Sequence, residues 1–255
     1  MLQKVVEVAK EAGELIKADF GKHHSVEYKS NLSDLVTETD KKSEKLITDF
    51  IKKEFPSHNI LSEEGSGKEG NSDYLWVIDP VDGTTNFAHG LPIFAVSIGV
   101  VKNGEIIAGV VYDIMRNVIY SAEKGSGSFA NGKKLSVSKN SDLRKSLLVT
   151  GFPYNVSENP NNVYGKFIAF LKNSRAVRRL GSAAIDCCYV AEGVFDGFWE
   201  VSLHPWDICA GKLIIEEAGG KVTNFKGEEV SIFSVEFLSS NGYVHEKMMK
   251  ILLEN

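Results

Sequence analysis

The stretch Asp79-Pro80-Val81-Asp82-Gly83-Thr84-Thr85-Asn86-Phe87 sets two carboxylates on either side of a proline. Proline fixes its own φ and pushes the preceding Asp79 into an extended conformation. Asp79 and Asp82 then project toward one point, with the Val81 carbonyl between them. Carboxylates and a carbonyl are hard oxygen donors, suited to Mg²⁺ and poor for soft metals. Gly83 and Thr84 open a short helix, whose free N–H groups and positive dipole end suit a phosphate. Taken alone, the pattern also reads as two Asp residues capping a turn. It does not stand alone: Glu63 and Glu64 precede it, and Asp207 follows Trp206 at the head of a later helix.

Other side chains invite chemistry less strongly. No pair among His23-His24, His89 and His204 has metal-ligand spacing; they read as surface or loop residues, with His204 set apart by its place beside the expected substrate pocket. Arg178 and Arg179 either meet a second phosphate of a bisphosphate or, the preferred reading, end a strand and make structural or subunit contacts. Trp199 and Trp206 read as packing, and Lys133-Lys134 as solvated turn residues. Cys187, Cys188 and Cys209 are odd in number and lack CxxC spacing, so they form neither a disulfide framework nor a zinc site. They read as small buried hydrophobes.

The elements that must position the carboxylates follow from periodicity. Leu2, Val5, Val6, Ala9, Ala12, Ile16 and Phe20 predict an amphipathic helix stopped by Gly21. A polar segment with Asp34, Thr37 and Asp40 leads into a second helix over 39–55, ended by Pro56. An apolar piece, 59–61, runs into Glu63-Glu64 and a Gly/Ser/Lys loop. Residues 74–78 predict a buried strand; 93–102, 105–113 and 118–123 predict three more, with Asn103-Gly104 as a hairpin turn. Beyond Val137 the pattern alternates: strand 146–150, helix 162–170, strand 176–180, helix 182–192, strand 197–201, helix 206–218, strand 237–240 and a final helix. Such alternation argues α/β layering. The chain thus divides near residue 140, into an N-terminal α+β half (1–140) with most of the carboxylates and a C-terminal α/β half (141–255) that completes the site.

The chain has 255 residues, 43% hydrophobic and 25% charged, enough to bury a substantial core. With 29 Lys+Arg against 34 Asp+Glu it carries a net charge of −5, which disfavours a nucleic-acid partner. No apolar run reaches membrane-spanning length. The first twenty residues interleave Glu7, Lys10, Glu11, Glu14 and Lys17, unlike a signal peptide, so a cytoplasmic location is expected.

The motifs DPVDGTTNFAHGLPIFAVSIG (79–99) and WDICAGKLIIEEAGG (206–220) are similar to the two signatures of the inositol monophosphatase family, within the Mg²⁺-dependent, lithium-sensitive sugar phosphatases. The segment between them, VRRLGSAAIDCCYVAEGVFDGFWEVSLHPWD, resembles bacterial members, and the likeness covers essentially the whole chain. It implies a layered αβαβα fold, usually in a homodimer, and two to three Mg²⁺ per site. Glu63, Asp79 and the Val81 carbonyl would hold the first; Asp79, Asp82 and Asp207 the second; a third, weaker one would lie near Glu63. Asp40, in DLVTETD, would pair with Thr84. The Gly83 and Thr84 amides would bind phosphate, while Asp82, the Ala183 amide and Glu200 would meet substrate hydroxyls. Cys209 departs from the smaller residue usual at its position. The expected reaction is hydrolysis of inositol 1-phosphate to inositol and phosphate by metal-activated water, with Asp40, Thr84 and Glu63 as catalytic residues. Sibling activities on fructose 1,6-bisphosphate or a nucleotide 3′-phosphate, and a regulatory protein- or RNA-binding role, are the alternatives.

Overall fold

A computed structural model of the chain describes residues 1–22, 26–28 and 35–255. His23, His24 and Asp34 lie outside the described residues. Helix α1 (Leu2–Asp19) buries Val5, Ala9, Ala12 and Ile16 of the predicted face, and Val8 beside them, while Leu2, Val6 and Phe20 are half-buried. Strands β1 (Val26–Tyr28) and β2 (Leu35–Thr37) form a small antiparallel pair. Helix α2 (Glu38–Glu54) begins at Thr37, whose side chain and Asp40 close a capping box.

Strand β3 (Asn59–Ser62) then runs parallel to β4 (Tyr74–Asp82). Helix α3 (Thr84–Ala88) follows directly, before β5 (Ala95–Lys102), β6 (Glu105–Asp113), β7 (Val118–Glu123), β8 (Gly127–Ala130) and β9 (Lys133–Lys134). From β3 to β9 these make a seven-stranded sheet in sequence order. The β5–β6 turn carries Asn103 at φ 51° and Gly104 at φ 82°, as a tight hairpin requires.

Strand β4 outruns its predicted end at Ile78 and continues through Pro80 to Asp82. Asp79 faces Ser97 on β5 and Asp82 faces Ala95, so β4 carries an extra residue between them. Pro80 is tolerated there because a bulge interrupts the hydrogen-bond ladder.

Beyond residue 140 lie β10 (Leu147–Thr150), α4 (Val163–Asn173), β11 (Ala176–Arg178), α5 (Ala183–Ala191), β12 (Gly197–Val201), α6 (Pro205–Glu217), β13 (Lys221–Thr223), β14 (Glu236–Ser240) and α7 (His245–Glu254). Their strands form a second sheet in the order β11-β10-β12-β14-β13, with β14 antiparallel to its neighbours. Helices α1 and α2 cover one face of the first sheet, α5 and α6 pack on its other face, and α4 and α7 adjoin the second sheet. The order is therefore αβαβα. One continuous core joins Val111 and Tyr120 of the first sheet to Ile185 on α5, Ile214 on α6 and Phe198 and Phe237 of the second. Among the described residues no helix is long and apolar enough to cross a membrane.

Candidate active site

Glu63 is placed by strand register. Ser62 pairs with Ile78, and the Glu63 N–H donates to the Ile78 carbonyl at 3.2 Å, so Glu63 emerges beside Asp79. Glu63 is close enough there to help hold the Asp79 carboxyl above its ordinary range. Asp79 Oδ1 also accepts the Val81 N–H at 3.0 Å, closing an Asx-type turn across Pro80. The turn uses one oxygen of the carboxylate and leaves Asp79 a second as a donor for a ligand.

Thr84 Oγ1 stands 2.8 Å from Asp40 Oδ1 and 3.0 Å from the Val81 carbonyl. Asp40 is fully buried, and its Oδ2 accepts the Thr37 N–H at 3.0 Å and the Thr37 hydroxyl. Burial pushes the Asp40 carboxyl above the usual range, against the lowering effect of its Thr37 and Thr84 hydrogen bonds. Gly83, at φ 99°, makes the turn between the strand and α3. A Cβ there would meet the Ile93 carbonyl at 3.0 Å and the Gly181 carbonyl at 3.3 Å, so the two halves of the chain approach over this residue.

Asp82 reaches across that boundary. It accepts the Ser182 hydroxyl, the Ala183 N–H at 3.2 Å and the Ala184 N–H at 2.8 Å, all at the head of α5. A carboxylate at a helix N-terminus satisfies donors that have no partner within the helix. The Ala183 amide, expected to meet a substrate hydroxyl, is here engaged by Asp82. Asp207 occupies the third position of α6 and accepts the His204 N–H at 2.6 Å. His204 stacks on Trp206 with ring centroids 5.0 Å apart. Glu200 on β12 is buried against Gly151, where a Cβ would fall 2.2 Å from its carboxyl oxygens.

Burial is the largest cause of the upward shift of Asp79, whose carboxyl stands well above its ordinary range; Glu63, Asp82 and Asp207 add like charge. Asp82 is pushed up to about 7 by burial and by Asp207 and Glu63, against the Ser182 and Ala184 donors. Glu200 is likewise driven up by burial, then by Asp207, with Arg179 opposing. Acids this crowded are costly to ionise without counter-charge. Their hard oxygens and the nearby Val81 carbonyl are donors of the kind a small divalent cation takes. Among the described residues no three His, Cys, Asp or Glu side chains already stand at the spacing of a closed metal cage. Asp79 and Asp207 each direct one oxygen to a local N–H, and Asp82 directs both to the head of α5. The donor set fits a cation in chemical type.

Several contributors escape a motif reading. Ser43 donates to the Pro80 carbonyl at 3.0 Å, and Glu44 accepts three donors from the turn that carries Glu63. Their signal was the buried helical face of α2, where Asp40, Ser43 and Glu44 share the stripe with Ile47 and Ile51. Asp186, one turn into α5, is fully buried with Oδ1 lacking a hydrogen bond. Trp199 is core and packs against Phe170 in a tilted arrangement with ring centroids 3.9 Å apart, and Cys187, Cys188 and Cys209 are free and buried. Lys133 and Lys134 are exposed.

The chain matches the inositol monophosphatase family over residues 1–255. It is 42% identical over 250 residues to the fructose-1,6-bisphosphatase/inositol-1-monophosphatase of Thermotoga maritima, covering 98% of this chain and 94% of that protein. The Nus factor SuhB of Escherichia coli K12 is also 42% identical, over 252 residues, with the same coverage. The crystal structure of the extragenic suppressor protein suhB from Bartonella henselae superposes with a TM-score of 0.94 at 35% identity, covering 98% of this chain and 97% of that one. A match of this length, together with the αβαβα layering and both signatures, shows that the chain belongs to the inositol monophosphatase family.

Proposed function

We propose that this member of the phosphatase family is a Mg²⁺-dependent phosphomonoesterase that hydrolyses inositol 1-phosphate to inositol and phosphate. The observation that carries the reading is the buried Asp40–Thr84 pair, 2.8 Å apart, beside the mutually repelling carboxylates Glu63, Asp79, Asp82 and Asp207. Divalent cations held by those carboxylates and the Val81 carbonyl would offset phosphate charge and acidify a water. The chain's own work is then proton handling and placement. Thr84 Oγ1 takes the water proton as it passes its own to Asp40 Oδ1, whose burial favours the protonated form. The Gly83 and Thr84 N–H groups, at the opening of α3, hold the phosphoryl oxygens. Glu200 meets a hydroxyl of the departing polyol, and Asp82 or a bound water supplies a separate proton to the leaving oxygen, while Asp40 afterwards releases the proton it took to solvent. The four carboxylates come from both halves of the chain, which we read as 1–140 and 141–255 sharing one site. Three buried free thiols suit a reducing cytoplasm. We also infer the family's homodimer.

A second reading is fructose-1,6-bisphosphatase activity. Arg179 is a cation close enough to lower Glu200, and the Thermotoga relative bears that name beside the monophosphatase one. A regulatory role beside catalysis is the reading suggested by the relative named as a Nus factor. Phosphate release from inositol 1-phosphate, fructose 1,6-bisphosphate and a nucleotide 3′-phosphate, with Mg²⁺ and with excess EDTA, decides among these. Expected is turnover that vanishes with the chelator and is highest for inositol 1-phosphate; undiminished turnover in EDTA would falsify the metal assignment. Inhibition by Li⁺ in the same assay belongs to this reading.

A further inference from the structure

Helix α2 presents Asp40, Ser43 and Glu44 on one face, at the i, i+3 and i+4 positions that share a side of a helix. Each holds a different segment of the site: Asp40 the Thr84 hydroxyl, Ser43 the Pro80 carbonyl, Glu44 the turn after β3. Glu44 is 1% exposed. Its Oε2 accepts the Ser62 hydroxyl and the Glu64 N–H at 2.9 Å, and its Oε1 accepts the Ser66 N–H at 3.0 Å. The three donors bracket Glu63 on both sides. A buried carboxylate with both oxygens engaged by donors of one turn is an anchor for that turn.

We propose that Glu44 is a positioning residue that fixes the Ser62–Ser66 turn and so sets how tightly Glu63 and Asp79 bind a divalent cation. The proposal rests on the cation reading given above. Without the anchor, the turn loses three charge-assisted bonds and Glu63 samples orientations away from Asp79. The cation then has to reorder the turn as it binds, which lowers its affinity. Outer-shell partners of ligands commonly change metal affinity or activity by about 10- to 100-fold when removed.

The test is Mn²⁺ binding to the full chain, followed by the paramagnetic resonance of free Mn²⁺, for the unmodified protein and Glu63→Gln, Glu44→Gln, Ser62→Ala and Thr48→Val. Glu44→Gln keeps the shape but turns an acceptor oxygen into an NH₂ that faces donors. Expected is a Kd about 10- to 100-fold higher, in the same direction as Glu63→Gln, and faster hydrogen exchange at the Glu64 and Ser66 amides. Ser62→Ala removes one donor and should weaken binding by a smaller factor, so the test stands even if Glu44→Gln does not fold. Thr48, buried on the same helix with its hydroxyl on the Lys45 carbonyl, controls for loss of helix stability. Thr48→Val should leave Mn²⁺ affinity unchanged.

If Glu63→Gln weakens Mn²⁺ binding while folded Glu44→Gln and Ser62→Ala do not, the positioning role alone is wrong. It is equally overturned if Thr48→Val weakens binding as much as Glu44→Gln. If Glu63→Gln leaves binding unchanged, the cation reading fails and takes this proposal with it.

Discussion

Glu200 packs directly on Gly151, its carboxyl filling space that a Cβ there would take, and the proposed function gives it a substrate hydroxyl to meet. Burial and the neighbouring Asp207 push it well above the ordinary range, while Arg179 opposes them. An acid so placed donates to a hydroxyl when protonated and accepts from one when ionised. Gln imitates only the neutral form. Glu200→Gln should therefore match the unmodified protein at low pH and fall behind as the pH rises and Glu200 ionises. At the alkaline end, kcat/KM for inositol 1-phosphate should be about ten- to hundredfold lower, the loss of a hydrogen bond to a charged acceptor. A substrate without those hydroxyls, such as p-nitrophenyl phosphate, should lose little. Parallel pH–rate profiles for the two substrates check this. Equal losses on both would place Glu200 in support of the fold.

At the level of single elements, α7 and the sheet beneath it predict an acid-labile contact. His245 opens α7 and is fully buried, with Nε2 2.9 Å from Thr223 Oγ1 and Nδ1 2.8 Å from Ser240 Oγ. Burial lowers its pKa to about 4. In the unfolded chain an ordinary His takes a proton below about 6.5. Between pH 6.5 and 4 the unfolded state therefore binds more protons, and stability falls as the pH drops through that window. The size is about 2 kcal/mol, on a scale of 1.36 kcal/mol per pKa unit and with some solvent screening allowed. Urea unfolding at several pH values should show this acid loss in the unmodified protein and a flatter limb in His245→Gln. Identical limbs would mean that His245 keeps its proton on folding.

Local pattern is also what made most elements legible. The hairpin at Asn103-Gly104 and the strands 105–113 and 118–123 fall where turn chemistry and alternation put them. Carboxylates at Asp79 and Asp82 could be read from the proline between them. What local pattern does not encode is pairing: that β3 runs parallel to β4, which brings Glu63 to Asp79, depends on a crossover. The continuation of β4 through Pro80 was hidden because a proline argues for a strand end unless a bulge receives it. Glu44 and Ser43 were hidden differently. A Ser and a Glu on a helix read as solvent-facing until the segments that cover them are known.

For the molecule as a whole, the site depends on how closely α6 lies on the first sheet, because α6 brings Asp207 to residues from the other half. That approach is set by glycines. A Cβ on Gly99 would fall 2.3 Å from Cys209 Sγ and 2.9 Å from Cys209 Cβ; one on Gly109 would meet the Ala210 carbonyl at 2.8 Å. Cys209, two residues past Asp207, thus fits only because β5 has no side chain beneath it. Gly99→Ala should overpack this contact and destabilise by about 1–3 kcal/mol, or roughly 2–4 °C in Tm per kcal/mol for a chain of this size. The same displacement lifts Asp207 away from Asp79, so under the proposed function phosphatase turnover should fall and require more Mg²⁺. The obstructing atom is identified, which permits a rescue. Adding Cys209→Ala removes the 2.3 Å conflict while leaving the 2.9 Å one, so Tm and turnover should recover in part together. Thermal unfolding and phosphate release on Gly99→Ala, Cys209→Ala and the double variant measure the coupling. An unchanged Tm in Gly99→Ala, or purely additive losses in the double variant, would show that α6 has room to spare and that the glycine does not set the height of Asp207.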